Sequence, residues 1–240
     1  MAINETGVPR SVEWELPHLA RSRVQIYGIL STVFGGLPGE QLVRLFSSWN
    51  VTEQVSREFL PLKIKRGLKQ INIWLEERGS EPSEIAALET EFTRLFRGLG
   101  RAKSPPPPYE SVYLDSGLLY GPSTQRVADT YRRFNVKGRD NEPPDYIALE
   151  MDFMRFLCDR EVTAWEAGNA RELLKEEDVF LREHLASWVP AFCENVRRFD
   201  AGVFYAGLAD LTEGWILCDR QIIRDILSDQ ADADRTAPLV

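Results

Sequence analysis

Imidazoles, thiols and long apolar runs are all scarce in this chain. Its 240 residues include only two histidines, His18 and His184, and three cysteines, Cys158, Cys193 and Cys218. No serine or cysteine sits in a nucleophile motif, so no catalytic triad can be assembled, and an enzyme is not expected. No His-x3-His or Cys-x-x-Cys pair occurs, so neither a metal nor a cofactor is expected. Three widely spaced cysteines in apolar surroundings exclude a disulfide framework and point to a reducing cytoplasm. No apolar stretch approaches the ~20 residues of a membrane span, and Met1 to Arg10 lacks the apolar core of a signal peptide, so neither secretion nor membrane insertion is expected. A basic excess is also missing. The 29 Lys and Arg against 37 Asp and Glu leave a net charge of −8. That is the wrong sign for nucleic acid or an anionic membrane, and it suits a cationic partner. Sustained period-two alternation and Asn-Gly hairpin signals are absent, which removes a sheet.

What is present is helical periodicity. Val24, Tyr27, Leu30, Val33 and Phe34 form a stripe from about His18 that ends at Gly35-Gly36-Leu37-Pro38. A short helix with Leu42, Leu45, Phe46 and Trp49 follows, closed by Asn50 to Thr52. Ile64, Leu68, Ile71 and Leu75 repeat at spacings near 3.6 up to Gly79, and Ile85, Leu88, Phe92 and Leu95 do so from Pro82 to Gly98. Later come a helix from Ser123 with Val127, Tyr131 and Phe134, one to about Ala167, one from Ala170 to Leu185, and a stripe of Trp188, Phe192, Val196 and Phe199 in which Pro190 suits a first turn. The longest stripe, from Phe204 to Ile226, predicts a central core helix. The fold class is all-α: a single globular bundle of eight or nine helices over residues 1–227. Residues 1–13 form a lead without order, and residues 228–240, rich in Asp and Ala, form a disordered tail.

The middle of the chain breaks this pattern. Pro105 to Pro108 favour polyproline II, a stiff exposed connector. Past Ser123, which can cap its helix, lies an acidic loop from Asp140 to Asp145. Asp145 is placed to cap the next helix, which buries Ile147, Met151, Met154 and Cys158 and leaves Glu150 and Asp152 nearer the polar side. Gly98-Leu99-Gly100-Arg101-Ala102-Lys103-Ser104 lacks Walker spacing and follows a helix, so it reads as a turn rather than a phosphate loop. His18 and His184 read as ordinary helix-surface or interface histidines.

Three ordered motifs stand out: Glu91-Phe92-Thr93-Arg94-Leu95-Phe96 followed by Tyr109-Glu110-Ser111-Val112-Tyr113, then Glu142-Pro143-Pro144-Asp145-Tyr146-Ile147 with Glu150-Met151-Asp152-Phe153-Met154, then Phe180, His184, Trp188 and Phe192. In order and spacing they resemble segments of the TorD/DmsD family, cytoplasmic chaperones that mature molybdenum-containing oxidoreductases, with the NarJ proteins as more distant relatives. The family usually has His where this chain has Tyr146. The resemblance implies a chaperone that binds the N-terminal twin-arginine leader and apo form of a molybdopterin oxidoreductase catalytic subunit, assists cofactor insertion and delays export. It implies leader binding at Glu142, Pro143, Asp145, Tyr146 and Glu150, with carboxylates receiving the arginines. Tyr27, Trp74, Phe92 and Tyr109 are candidates to line an apolar groove. A monomer is favoured over a dimer, although Gly98 to Pro122 is long enough to act as a swapping hinge. The competing reading is a helical ligand-sensing or regulatory protein without a DNA-binding domain. A helical metal hydrolase or cyclase lacks the paired Asp-Asp-x-x-Asp motifs it needs.

Overall fold

The computed structural model describes residues 15–48, 60–79, 81–97, 104–139, 141–199 and 202–236. Helices follow one another as α1 (Glu15–Gly35), α2 (Glu40–Ser48), α3 (Leu62–Arg78), α4 (Pro82–Phe96), α5 (Glu110–Leu114), α6 (Pro122–Arg133), α7 (Ile147–Glu166), α8 (Ala170–Phe180), a π-helical turn at Leu181–Leu185, α9 (Ala186–Arg198) and α10 (Gly202–Thr236). Among the described residues there is no strand, only an isolated antiparallel bridge between Tyr109 and Tyr146. The all-α class therefore stands. The expected lead of residues 1–13, the closure at Asn50 to Thr52, the Gly98 to Lys103 turn and Asp140 lie outside the described residues.

Two helix pairs form the frame. α1 lies along α7, where Ile26, Leu30 and Val33 join Ile147, Met151, Met154 and Leu157 in one core. The approach is close because small residues meet there: the Ser31 hydroxyl donates to the Ala148 carbonyl at 2.9 Å. α3 lies against α10, and here glycine sets the spacing. A Cβ built on Gly67 would stand 2.5 Å from the Gly207 carbonyl oxygen and 2.6 Å from the Leu211 nitrogen, and one on Gly207 would stand 2.9 Å from the Gly67 oxygen. Backbone cannot yield as a side chain can, so Gly67→Ala forces the two helices apart. We expect it to cost about 1–3 kcal/mol despite Ala's better helix propensity. Urea denaturation measures this, and a midpoint equal to or above wild type would contradict the packing.

Rings from four helices close the centre. Phe96 touches Phe34 at 5.5 Å, Phe92 at 5.1 Å, Phe192 at 5.9 Å and Tyr205 at 5.4 Å between centroids. On the other side a single buried cation ties α1, α7, α8 and α10 together. The Arg23 guanidinium donates to both oxygens of Asp219 at 2.6 and 3.1 Å, to Glu177 at 2.6 Å, and to Glu161. The Tyr27 hydroxyl donates to Asp219 at 2.6 Å, and Trp165 Nε1 to Glu161 at 2.7 Å. Cys158, Glu161 and Glu177 place ligand atoms within 4.8 Å of one another, but Arg23 already supplies the cation among them. All three cysteines are free.

Several local expectations are corrected. The proline run is only partly exposed: Pro106 is, but Ser104, Pro105 and Pro108 are buried, and the connector contains a helix of its own, α5. Ser123 does not cap α6. It lies inside the helix, buried, and its N–H donates at 2.8 Å to Asp115, eight residues upstream. Pro190 lies inside α9 rather than in a first turn, and the turn ahead of it widens to π geometry, a device that relieves the ring's clash with the preceding carbonyls. α10 runs to Thr236. No helix among the described residues is long and apolar enough to cross a membrane.

Candidate functional site

The two segments that carry the resemblance are stitched together by their backbones. Ile147 N–H donates to the Pro108 carbonyl at 3.0 Å and Glu110 N–H to the Asp145 carbonyl at 3.0 Å, flanking the Tyr109–Tyr146 bridge. Proline is what makes this work: Pro108 holds the chain extended, lacks an N–H that would compete, and offers its carbonyl. Asp145 caps a helix, but not its own. Its Oδ2 accepts the Ser111 N–H at 2.9 Å, so it caps the start of α5, while the N-cap of α7 is Tyr146 without a side-chain bond.

On the outer side of this stitch three side chains converge. The Tyr109 hydroxyl donates to Glu142 Oε1 at 2.6 Å. Arg97, just past the end of α4, donates to Glu142 Oε2 at 3.4 Å. Its guanidinium lies over the Tyr146 ring at 5.4 Å and the Phe92 ring at 5.9 Å, and the Tyr109 and Tyr146 rings lie 5.2 Å apart. Glu142 keeps 22% of its side chain exposed and Arg97 36%. Burial first, then the bond to Glu142, pushes the Tyr109 phenol well above its ordinary value, so it stays a hydrogen-bond donor at all physiological pH. Burial raises Tyr146 to about 12. Its hydroxyl donates to the Phe34 carbonyl, anchoring the loop to the end of α1.

Directly beneath lies an acidic layer that does not reach the surface. Glu110, Asp145 and Glu150 are each 0% exposed. His184 Nδ1 meets Glu110 Oε2 at 2.8 Å and Trp188 Nε1 donates to Glu150 Oε2 at 3.2 Å. Burial and then the neighbouring Glu110 raise the Glu150 carboxyl far above the usual range, and burial raises Glu110 less strongly because His184 opposes it. Glu150 is therefore a buried acid whose neutral form is favoured, not a residue of the polar side as expected; the first turn of α7 is covered all round, with every residue from Ile147 to Met151 buried. His184 is likewise a buried partner, not a surface histidine. Pro143 is buried too.

Of the candidate groove residues, Tyr27 at 0% and Phe92 at 1% exposure belong to the core. Tyr109 stands at the outer cluster. Trp74 is apart, forming one wall of a cleft of about 380 Å³ between α3, α4 and the start of α10, with Leu88, Val203 and Phe204 beside it. Arg97, Glu110 and Trp188 were not among the candidate site residues, although Glu110 and Trp188 stand in the resembling motifs and the i and i+4 spacing of His184 and Trp188 could have placed those two on a common face.

The profile of the nitrate reductase delta subunit family matches residues 60–194. The chain is 30% identical over 224 residues to the chaperone protein TorD of Vibrio cholerae, covering 90% of this chain and 98% of that one. It is 29% identical to TorD of Aliivibrio fischeri, over 85% of this chain and 96% of the other. A structure described as that of a redox enzyme maturation protein from Archaeoglobus fulgidus superposes with a TM-score of 0.44 at 22% identity, over 82% of this chain and 93% of its own. On the family profile and the 30% identity to the Vibrio cholerae chaperone, this chain belongs to the TorD family within the nitrate reductase delta subunit group.

Proposed function

We propose that this protein is a maturation chaperone for a molybdenum-containing oxidoreductase subunit, acting by binding rather than turnover, and that it holds the subunit's twin-arginine leader until the cofactor is inserted. The observation that carries the reading is the seat of Arg97. Glu142 beneath aromatic faces already accommodates a guanidinium, which is the chemistry an arginine of the leader requires. Glu142 and Tyr109 form the accessible part of the site. Asp145, Tyr146, Pro143 and Glu150, proposed from the resemblance as leader residues, act here as the frame: two backbone bonds and a capped α5 keep Glu142 in place. The Trp74 cleft lies on the flank of α4, where its Glu91 is about 9 Å along the helix axis from Arg97, and it offers the apolar stretch of the leader a seat.

Arg97 then competes with the leader. Replacing it by Gln removes a charge that partly neutralises Glu142, so a synthetic twin-arginine leader is expected to bind a few-fold tighter, on the order of 0.5–1 kcal/mol for a partly exposed pair. Calorimetric titration reads this directly. Weaker binding after Arg97→Gln would mean that Arg97 is a contact of the ligand rather than its rival.

A further inference from the structure

The acids beneath the seam between α5 and α7 have too few donors for three charges. Glu110, Asp145 and Glu150 are fully enclosed, and each takes part in one hydrogen bond. Glu110 Oε2 meets His184 Nδ1, Asp145 Oδ2 accepts the Ser111 N–H, and Glu150 Oε2 accepts the Trp188 indole N–H. The second oxygen of each, Glu110 Oε1, Asp145 Oδ1 and Glu150 Oε1, has no hydrogen-bond partner in the protein. An ionised carboxylate offers about four acceptor sites, and leaving a buried charge so poorly met is strongly disfavoured. The layer therefore keeps a proton.

The charges around each acid say where it sits. Glu110 has the His184 ring and the Arg126 guanidinium, the latter 3.8 Å from Oε1. Asp145 has a backbone donor that cannot turn away. Glu150 has neither a cation nor a backbone donor. The groups that face it are Glu110 from α5, Asp145 from the loop ahead of α7 and the Tyr131 phenol from α6, with Trp188 from α9. Asp152 of its own helix adds negative charge near Tyr131, His184 of the π-helical turn stands behind Glu110, and α1 presents the Ser31 hydroxyl to the Ala148 carbonyl in the same turn of α7. Burial and the neighbouring Glu110 accordingly favour the protonated form of Glu150.

That proton has something to control. The seam is closed by the Glu110 N–H on the Asp145 carbonyl and the Ile147 N–H on the Pro108 carbonyl, so two of the acids are themselves the residues that close it. An ionised Glu150 sets a third negative charge against both, where little water screens the repulsion. Opening the seam gives that charge to solvent.

We propose that the proton on Glu150 latches the seam between α5 and α7, and that losing it opens the seam while the surrounding helices stay folded. Tyr109 and Tyr146 bridge the same seam, so opening also disperses the outer cluster with Glu142. A hold on the leader that weakens as pH rises rests on the leader reading; the latch itself does not.

Amide hydrogen exchange of the full chain, read by NMR at Glu110, Ser111 and Ile147 and corrected for the intrinsic rate at each pH, tests it. A glutamate in water titrates near ~4.3. Above that value the closed seam binds one proton more than the open one, so wild-type protection at these amides is expected to fall by up to about tenfold per pH unit until Glu150 ionises in place. Glu150→Gln keeps an oxygen for the Trp188 indole and has no proton to lose, so its fall is expected to be shallower by up to the same factor. Glu177→Gln alters the other buried acid cluster and is expected to leave the slope at the seam as in wild type. Wild-type protection that stays level between about pH 5 and 8 overturns the proposal without reference to any variant or ligand. A Glu150→Gln slope equal to wild type overturns it too, and so does a Glu177→Gln slope as shallow as that of Glu150→Gln, which would mean that these amides exchange only by global unfolding.

Discussion

Arg23→Met is expected to destabilise the protein by about 3–5 kcal/mol, because it leaves three carboxylates buried around a vanished cation. Arg23 is 1% exposed, and Glu161, Glu177 and Asp219 are each 2% or less by side chain, so water cannot replace it. That is a large part of the 5–15 kcal/mol of a typical domain, and the variant should unfold near room temperature or early in urea. The same cluster has a pH signature. Burial, with Glu161 and Asp219 adding to it and Arg23 opposing, pushes the Glu177 carboxyl up to about 8. Its unfolded value is near ~4.3, so between these two the folded state holds more protons than the unfolded one. The contribution of the protonated acid is thus fully present below about pH 4 and is lost as pH rises towards 8. Glu177→Gln, which mimics the protonated acid, should flatten that slope and be the more stable protein at pH 8. An Arg23→Met midpoint close to wild type would contradict the assignment of Arg23 as the sole cation of this cluster among the described residues.

The long helices were legible because their apolar residues recur at 3.6: α1, α3, α4 and α7 each end close to where glycine marks them, whereas α10 continues to Thr236, ten residues past the last residue of its apolar stripe. α5 was not, since five residues give no period to detect. The caps were misread for a related reason. Asp145 and Ser123 have the side chains of N-caps and sit one or two residues from helix starts, yet Asp145 accepts from α5 and the Ser123 N–H donates to Asp115; only tertiary contacts choose between such partners. Glu150 exposes a limit of amphipathic reading. Periodicity tells which face is most apolar, but α7 is enclosed on every side, and its carboxyl is stabilised by Trp188, 38 residues away in sequence. Arg97 and Glu142 are 45 residues apart, so their pairing left no local trace. Glu142 itself came from the motif resemblance, and the fold then separated it from Asp145, which is fully buried.

The leader-binding account rests on Glu142. Glu142→Gln keeps an oxygen to accept the Tyr109 hydroxyl and removes only the charge, so the fold should be unaffected. Loss of a charged hydrogen-bond partner costs roughly 1.5–3 kcal/mol, or about ten- to hundredfold in affinity. Asp145→Asn, by contrast, should act on the frame: it keeps the Oδ acceptor for Ser111 and changes leader affinity little, because no arginine of a ligand reaches a fully buried oxygen. The most direct measurement is therefore isothermal titration of wild type, Glu142→Gln and Asp145→Asn with one synthetic twin-arginine leader, alongside the same leader with its arginine pair replaced by glutamine. The account predicts a ten- to hundredfold loss for Glu142→Gln, a loss of similar size for the altered leader on wild type, and little further loss when the two are combined. Equal affinity of wild type and Glu142→Gln for the leader would contradict it.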